Sequence, residues 1–352
     1  MTHERDTSPG FDPDAAAPPD AGLFGLPHHV EEAGVVVVPV PFEATTSYGG
    51  GTVDGPRAVL SASRQVDLFD LEVGRPYRRG IAMLDEPAEV RAWNDEARRH
   101  AAEIIAQGGV GTDPALQAAA AAVDALGARL NEWVQRTVAE HLRRGQLVAV
   151  VGGDHSVPFG AIAATAERHP GLGVLHLDAH ADLREAYEGF TWSHASIMYN
   201  VCERIPGVAR LVQVGIRDLG EREHRYITES KGRVVAHFDP HLAEERFGGT
   251  SWSTQVQRIV AGLPPKVYLS FDIDGLDPTL CPHTGTPVPG GLDFAMACHL
   301  VAAVARSGRT IVGLDLCEVA PGPDGDEWDG NVAARLLYKM IGWALRSQGL
   351  GD

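Results

Sequence analysis

The nine residues LHLDAHADL, 175–183, set Asp178, His180 and Asp182 two residues apart, directly behind an apolar run. On a helix, positions i and i+2 point to nearly opposite sides. In an extended segment, i, i+2 and i+4 share one face. If the run is a buried strand, two carboxylates and an imidazole leave its end together. Three other apolar runs end in polar chemistry. LVAVVGGDHS ends in Asp154 and His155, where Gly152 and Gly153 allow a sharp turn and close packing that would aim His155 inward. VYLSFDIDGLDP places Asp272 and Asp274 on one extended face, and IVGLDLCEVAP ends in Asp315 and Glu318. Each alone reads equally well as a buried histidine bonded to backbone or as acids capping a following helix. Four in one chain, all behind strand-like runs, point to a site.

Charge narrows the chemistry. His155, Asp178, His180, Asp182, Asp272 and Asp274 give four carboxylates and two neutral imidazoles, a total of −4. Such groups converging without cations would repel one another and titrate upward. One divalent ion leaves −2, and two neutralise the set. Oxygen and imidazole donors without sulfur favour Mn²⁺, with Ni²⁺, Fe²⁺, Co²⁺ or Zn²⁺ as alternatives. Two ions roughly 3.5 Å apart can lower the pKa of a bridging water toward neutrality.

The elements that must position these residues alternate along the chain. Strand-like runs are expected at 34–40, 147–151, 173–178, 211–216, 234–238, 266–274 and 310–316, with helix-like segments between most of them. The long Ala- and Leu-rich stretch 113–145 holds one helix or two, 293–308 reads as a capped helix, and 331–349 as a closing amphipathic helix. Continuous apolar strands alternating with helices predict an α/β fold with a mainly parallel sheet covered on both faces. Sites in such sheets form at the carboxyl ends of the strands. Residues 1–30, rich in Pro, Asp, Ala and Gly, read as a flexible arm, and 31–352 as a single catalytic domain.

Composition excludes several function classes. The chain has 352 residues, 44% of them apolar, which suffices for a substantial core. A formal charge of −17 argues against nucleic acid and anionic membrane surfaces, yet would attract a cationic small substrate. No apolar stretch is long enough to span a bilayer, and no secretion signal opens the chain. Cys202, Cys281, Cys298 and Cys317 form no CxxC pair, so reduced thiols in the cytoplasm are expected.

Taken together, GGDHS, DAHAD and SFDIDGLDP, followed by TGTPVPGGL and EVAP, resemble the ureohydrolase family of arginases, agmatinases, formimidoylglutamases and related guanidino hydrolases. PVPFEATTSYGGGTVDGPRAV, 39–59, is similar to that family's first strand and Gly-rich loop, and the likeness runs from about residue 35 to the C-terminal helix. The resemblance implies a three-layer α/β/α domain with a binuclear manganese cluster. By match of motif, Asp178 and Asp272 would bridge both ions, His155 and Asp182 would complete one, and His180 and Asp274 the other. It further implies that His194, in WSHAS, relays a proton to the leaving amine, that Glu318 holds the guanidinium, and that Thr286 lies near the active centre. Asp182 would accept the proton of the attacking hydroxide. Urea and an amine would leave. Family members form trimers or hexamers, so a homo-oligomer is expected.

Other readings stay open at this stage: a single-zinc deacetylase, whose family shares this sheet but uses fewer acids at the metal, or a non-catalytic metal-binding protein. His176, inside the apolar run, reads as a satisfied neighbour of the site rather than a ligand, and Gly49–Gly51, lacking the Lys of a phosphate loop, as backbone turning near the pocket. The substrate is read from LREAYEGFTWSHAS, 183–196. Arginases carry an Asn there; this chain has Arg184, with Glu185, Glu188, Tyr187, Phe190 and Trp192 following. Acids with aromatic walls suit a cation without a carboxylate, so Glu185 and Trp192 are expected to contact an agmatine-type substrate. A closed aromatic pocket would equally suit free guanidine, and Arg184 could instead read a carboxylate, which keeps guanidine, arginine and guanidino acids as alternatives.

Overall fold

The computed structural model describes residues 11–351. The seven expected runs form strands: β1 (Val35–Val40), β3 (Leu147–Gly152), β4 (Leu172–Leu177), β5 (Val208–Ile216), β6 (Val234–Phe238), β7 (Lys266–Asp272) and β8 (Thr310–Cys317). An eighth, β2 (Ile81–Met83), is only three residues long and had no legible sequence pattern. All pair in parallel, in the order β2-β1-β3-β8-β7-β4-β5-β6. The central strands are buried along their whole length apart from the first residues of β7 and β8, as continuous apolar runs require.

Helices cover both faces and bury two separate apolar cores, giving three layers. One face holds Phe294–Arg306 and Trp328–Ser347, and the other Ala88–Ala106, Pro114–Arg143 and Phe159–Arg168. The stretch 113–145 is one helix. Asp113 caps its first turn by accepting from the Ala115 N–H at 2.8 Å, with Pro114 at the first helical position. Asp293 likewise caps Phe294–Arg306 through the Met296 N–H at 2.7 Å. Among the described residues, no helix is long and apolar enough to cross a membrane.

The core reaches past the boundary drawn at residue 31. Leu23, Phe24 and Leu26 are buried, and the Phe24 ring meets Tyr338 edge-on at 4.8 Å. A short apolar cluster in a Pro- and Asp-rich stretch was enough to dock this part of the expected arm; its first ten residues lie outside the described ones.

Candidate active site

The four polar strand ends are neighbours. β3, β8, β7 and β4 lie side by side in the sheet, and their carboxyl ends deliver His155, Glu318, Asp272 with Asp274, and Asp178 with His180 and Asp182. The turn behind β3 explains its glycines: a Cβ on Gly153 would lie 2.1 Å from the Phe42 carbonyl oxygen, so only glycine lets these backbones meet. Asp182 (φ 53°) and Glu318 (φ 62°) adopt the left-handed region without being glycine. Such strain persists where surrounding contacts over-determine it, and it gathers at functional sites.

The six donors converge and are mostly buried. His155 Nδ1 lies 3.0 Å from Asp178 Oδ2, 3.2 Å from Asp272 Oδ2 and 3.6 Å from Asp182 Oδ2. His180 Nδ1 lies 3.0 Å from Asp274 Oδ2 and 3.5 Å from Asp178 Oδ1. Asp178 therefore belongs to two donor groups, one with His155, His176 and Asp182 and one with His180 and Asp274. A carboxylate shared in this way suits a pair of cations.

Neighbouring groups fix the ring orientations. The His155 Nε2 faces Ser270 Oγ at 2.9 Å, and the Ser270 hydroxyl donates to Asp315 at 3.1 Å, which turns Nδ1 toward the carboxylates. His176 is held differently. The Gln213 amide donates to its Nδ1 at 2.9 Å and its Nε2 faces Asp178 at 2.8 Å, so both nitrogens are taken. It supports Asp178 and leaves the ligating to others.

Electrostatics agree with a cation site. Burial, then repulsion from Asp178, pushes the Asp182 carboxyl well up; burial, then Asp274 and Asp178, does the same to Asp272. Burial would lower both histidines, yet the surrounding carboxylates outweigh it, raising His155 well above its usual range and His180 to about 12. In the protein alone, protonated imidazoles must stand in for positive charge. The oxygen and imidazole donor set, its excess negative charge and its shared carboxylate fit divalent metal ions.

Above the donors opens a cleft of about 310 Å³, lined by His180, Asp182, His194 and Thr286, by Ser47 and Tyr48 of the Gly-rich loop, and by Arg184, Tyr187, Asp218 and Glu223. The Thr286 hydroxyl lies 3.4 Å from Asp274 Oδ2. Burial, then the nearby His180, pushes His194 down to about 3. Its Nδ1 lies 3.4 Å from the hydroxyls of both Thr45 and Ser193, and its Nε2 has no hydrogen-bond partner among the described residues. Thr45, fully buried, also donates to Asp154 Oδ2 at 3.3 Å. Glu318 is 3% exposed, accepts the His155 N–H at 2.9 Å through Oε1, and leaves Oε2 without a partner. Burial, then Asp272 and Asp154, raises its carboxyl well above the usual range, which suits a group awaiting a cation.

Two expected substrate contacts lie elsewhere. Trp192 turns away from the cleft: its ring packs on Phe159 at 4.9 Å and under Arg204 at 5.1 Å, and it rests on Gly127, where a Cβ would come within 2.9 Å. Asp124 draws the loop onto this helix by accepting the Thr191 N–H at 2.8 Å. Glu185 is exposed outside the cleft. In their place stand Asp218 and Glu223, which follow β5 and were not singled out in the sequence. The signal was present, since IRD again puts an acid two residues beyond an apolar strand.

Comparison with known proteins gives the same picture. The family model described as Arginase family matches residues 33–342. An N(1)-aminopropylagmatine ureohydrolase of Thermus thermophilus is 35% identical over 313 residues, covering 89% of this chain and 90% of that protein. An agmatinase of Bacillus anthracis is 30% identical over 314 residues, covering 89% and 93%. Among solved structures, the proclavaminate amidino hydrolase of Streptomyces clavuligerus superimposes with a TM-score of 0.71 at 24% identity, over 95% of this chain and 99% of that one. The fold is thus shared with that solved structure, and the match of model and relatives across nearly the whole chain places this protein in the arginase family of urea-releasing hydrolases.

Proposed function

We propose that this chain releases urea from a guanidino amine of the agmatine type, using two divalent ions, Mn²⁺ first and Ni²⁺ as the alternative. The observation that carries the reading is the cleft itself: a small chamber above a shared-carboxylate donor set, whose outer wall holds Asp218 and Glu223 and, among the described residues, a single arginine. The names of the Thermus and Bacillus relatives support a substrate with a guanidinium at one end and an amine, bare or aminopropylated, at the other.

His155 and Asp182 would hold one ion, His180 and Asp274 the other, with Asp178 and Asp272 shared. When bound, the ions supply a nucleophilic hydroxide at neutral pH. The chain does the rest. A guanidinium is planar and resonance-stabilised, so it must be held and its amine protonated. Glu318 Oε2, buried and unpaired, accepts from the planar N–H fork. Asp182 takes the proton released as the C–O bond forms, and that proton passes by way of His194, neutral at rest, to the amine nitrogen as the C–N bond breaks. Thr286 borders the reacting end. The exposed Phe69, Leu71 and Phe247 support a homo-oligomer, and four buried free cysteines support a reducing, cytoplasmic setting.

The test is urea release from agmatine, its aminopropyl derivative, L-arginine, 4-guanidinobutyrate and guanidine at equal concentration, after reconstitution with Mn²⁺ or with Ni²⁺. The amines should dominate. Efficient turnover of L-arginine with none of the amines would refute the reading.

A further inference from the structure

Among the described residues, Arg184 is the one arginine or lysine lining the cleft, at its outer wall, and could meet a substrate's carboxylate. Its surroundings cancel it. Its Nε lies 3.6 Å from Glu223 Oε2, and its guanidinium lies over the Tyr187 ring, 4.9 Å from the centroid. Tyr187 in turn meets His194 edge-on at 5.9 Å, so this wall is continuous with the reacting end. Glu223 is 4% exposed and held by two backbone donors: Oε1 accepts the Leu183 N–H at 2.9 Å and Oε2 the Gly220 N–H at 2.7 Å. Leu183 immediately precedes Arg184, so one carboxylate both anchors the segment and faces its charge. Asp218 lines the same cleft, and its carboxylate makes no hydrogen bond or ion pair among the described residues. Arg184 (+1), Glu223 (−1) and Asp218 (−1) sum to −1 on the wall that faces the substrate's far end.

We propose that the Arg184–Glu223 pair is a charge selector for the substrate's tail. With Arg184 cancelled, the wall is net negative and receives an ammonium. With Arg184 uncancelled, the same wall would receive the carboxylate of a guanidino acid. The selector rests on the reading of the cleft as a guanidino-hydrolase site and adds to it which residues set the tail's charge class. It makes Glu223, which touches no reacting atom, a specificity-determining residue.

The test is a ratio: kcat/KM for agmatine over kcat/KM for 4-guanidinobutyrate, which have similar length and opposite tail charge. Moving one charge a few ångströms from the tail in a partly solvated cleft changes such a ratio by roughly 10-fold. Glu223→Gln removes the carboxylate that faces Arg184, takes the wall from −1 to 0, and should lower the ratio by about that factor. Arg184→Gln leaves Glu223 and Asp218 unopposed and should raise it by about 3- to 10-fold. The double variant restores a net charge of −1 and should return the ratio to within about 3-fold of the parent. Ratios that move in the same direction in both single variants, or that stay within about 2-fold of the parent, overturn the selector. If Glu223→Gln does not fold for want of its backbone bonds, Arg184→Gln decides alone, because it leaves those bonds in place: a rise supports the selector and anything else refutes it. A parent that hydrolyses neither compound refutes the proposed function, and the selector is then judged on the same ratio read as Kd by calorimetry on the metal-loaded protein.

Discussion

Two populations of acidic side chains can be compared. On the periphery, acids are matched by side-chain cations. Lys339 Nζ lies 2.8 Å from both Asp70 and Glu72, and Arg91 reaches Glu86 at 2.6 Å and Asp54 at 2.9 Å. Burial would raise the Asp70 and Glu86 carboxyls, but these partners hold both below the usual range. At the carboxyl ends of β3, β8, β7 and β4 the acids meet no lysine or arginine among the described residues, and burial together with their mutual repulsion drives Asp182, Asp272 and Glu318 up. One population is complete as it stands. The other is a set of charges awaiting cations from outside the chain, which is what distinguishes a site from an ion-pair network.

The largest effect should come from removing the shared acid. Asp178→Ala should lose both ions and lower kcat/KM by more than about 10³-fold, because one carboxylate serves both donor groups. His155→Ala should weaken mainly one ion. Elemental analysis that finds full metal occupancy and activity in Asp178→Ala would merge the two populations and end the comparison. Next in size is His194→Ala, which should keep KM within a few-fold and cut kcat by roughly 10²–10⁴. Wild-type kcat in that variant would remove His194 from proton transfer.

Thr45 sharpens the comparison, since it joins a buried acid to the catalytic ring. An ionised Asp154 can only accept, so the Thr45 hydroxyl donates to it and offers its lone pairs to His194. Burial raises Asp154 to about 6, while the Ser156 N–H at 3.0 Å and the Ser156 hydroxyl both donate to its other oxygen, as an ionised carboxylate requires. Thr45→Val should lower kcat by about 10-fold with KM little changed, and Thr45→Ser should restore it. A Val variant with full kcat would leave the ring oriented by Ser193 alone.

Much of this was legible in the sequence, and the misses share a cause. Period-2 spacing placed the metal-capable side chains because it is local. That β3, β8, β7 and β4 are adjacent is a non-local pairing, which the chain order conceals. β2 escaped because three residues at a sheet edge carry no pattern. Trp192 and Glu185 are read by residue type in a loop, where nothing local says which way a side chain turns; for Trp192, Asp124 and Gly127, far back in sequence, decide it. Glu223 read as an ordinary residue in the first turn of a polar helix. It does serve the backbone there, and its second role depends on Arg184, 39 residues earlier.

The smallest effect belongs to the periphery and probes its completeness. Lys339, on the C-terminal helix, holds the turn Asp70–Gly74 through Asp70 and Glu72. Asp70's folded pKa lies below its unfolded value near 4, so the folded state binds fewer protons there and its contribution to stability is present above about pH 4 and lost as pH falls through the folded value. Lys339 is shifted the other way: burial would lower it, but Asp70 and Glu72 raise it, so its contribution holds below the unfolded value of about 10.4 and fades as pH rises through the folded one. Lys339→Met should therefore cost about 1 kcal/mol at pH 7, a figure kept small because the pair is partly solvated. Urea unfolding of parent and variant at pH 7 and at about pH 3 gives the measurement, and the difference should shrink at the lower pH. A cost that is equal at both would mean that Lys339 stabilises the turn by packing its stem, and that the peripheral acids are not matched by charge in the way their geometry indicates.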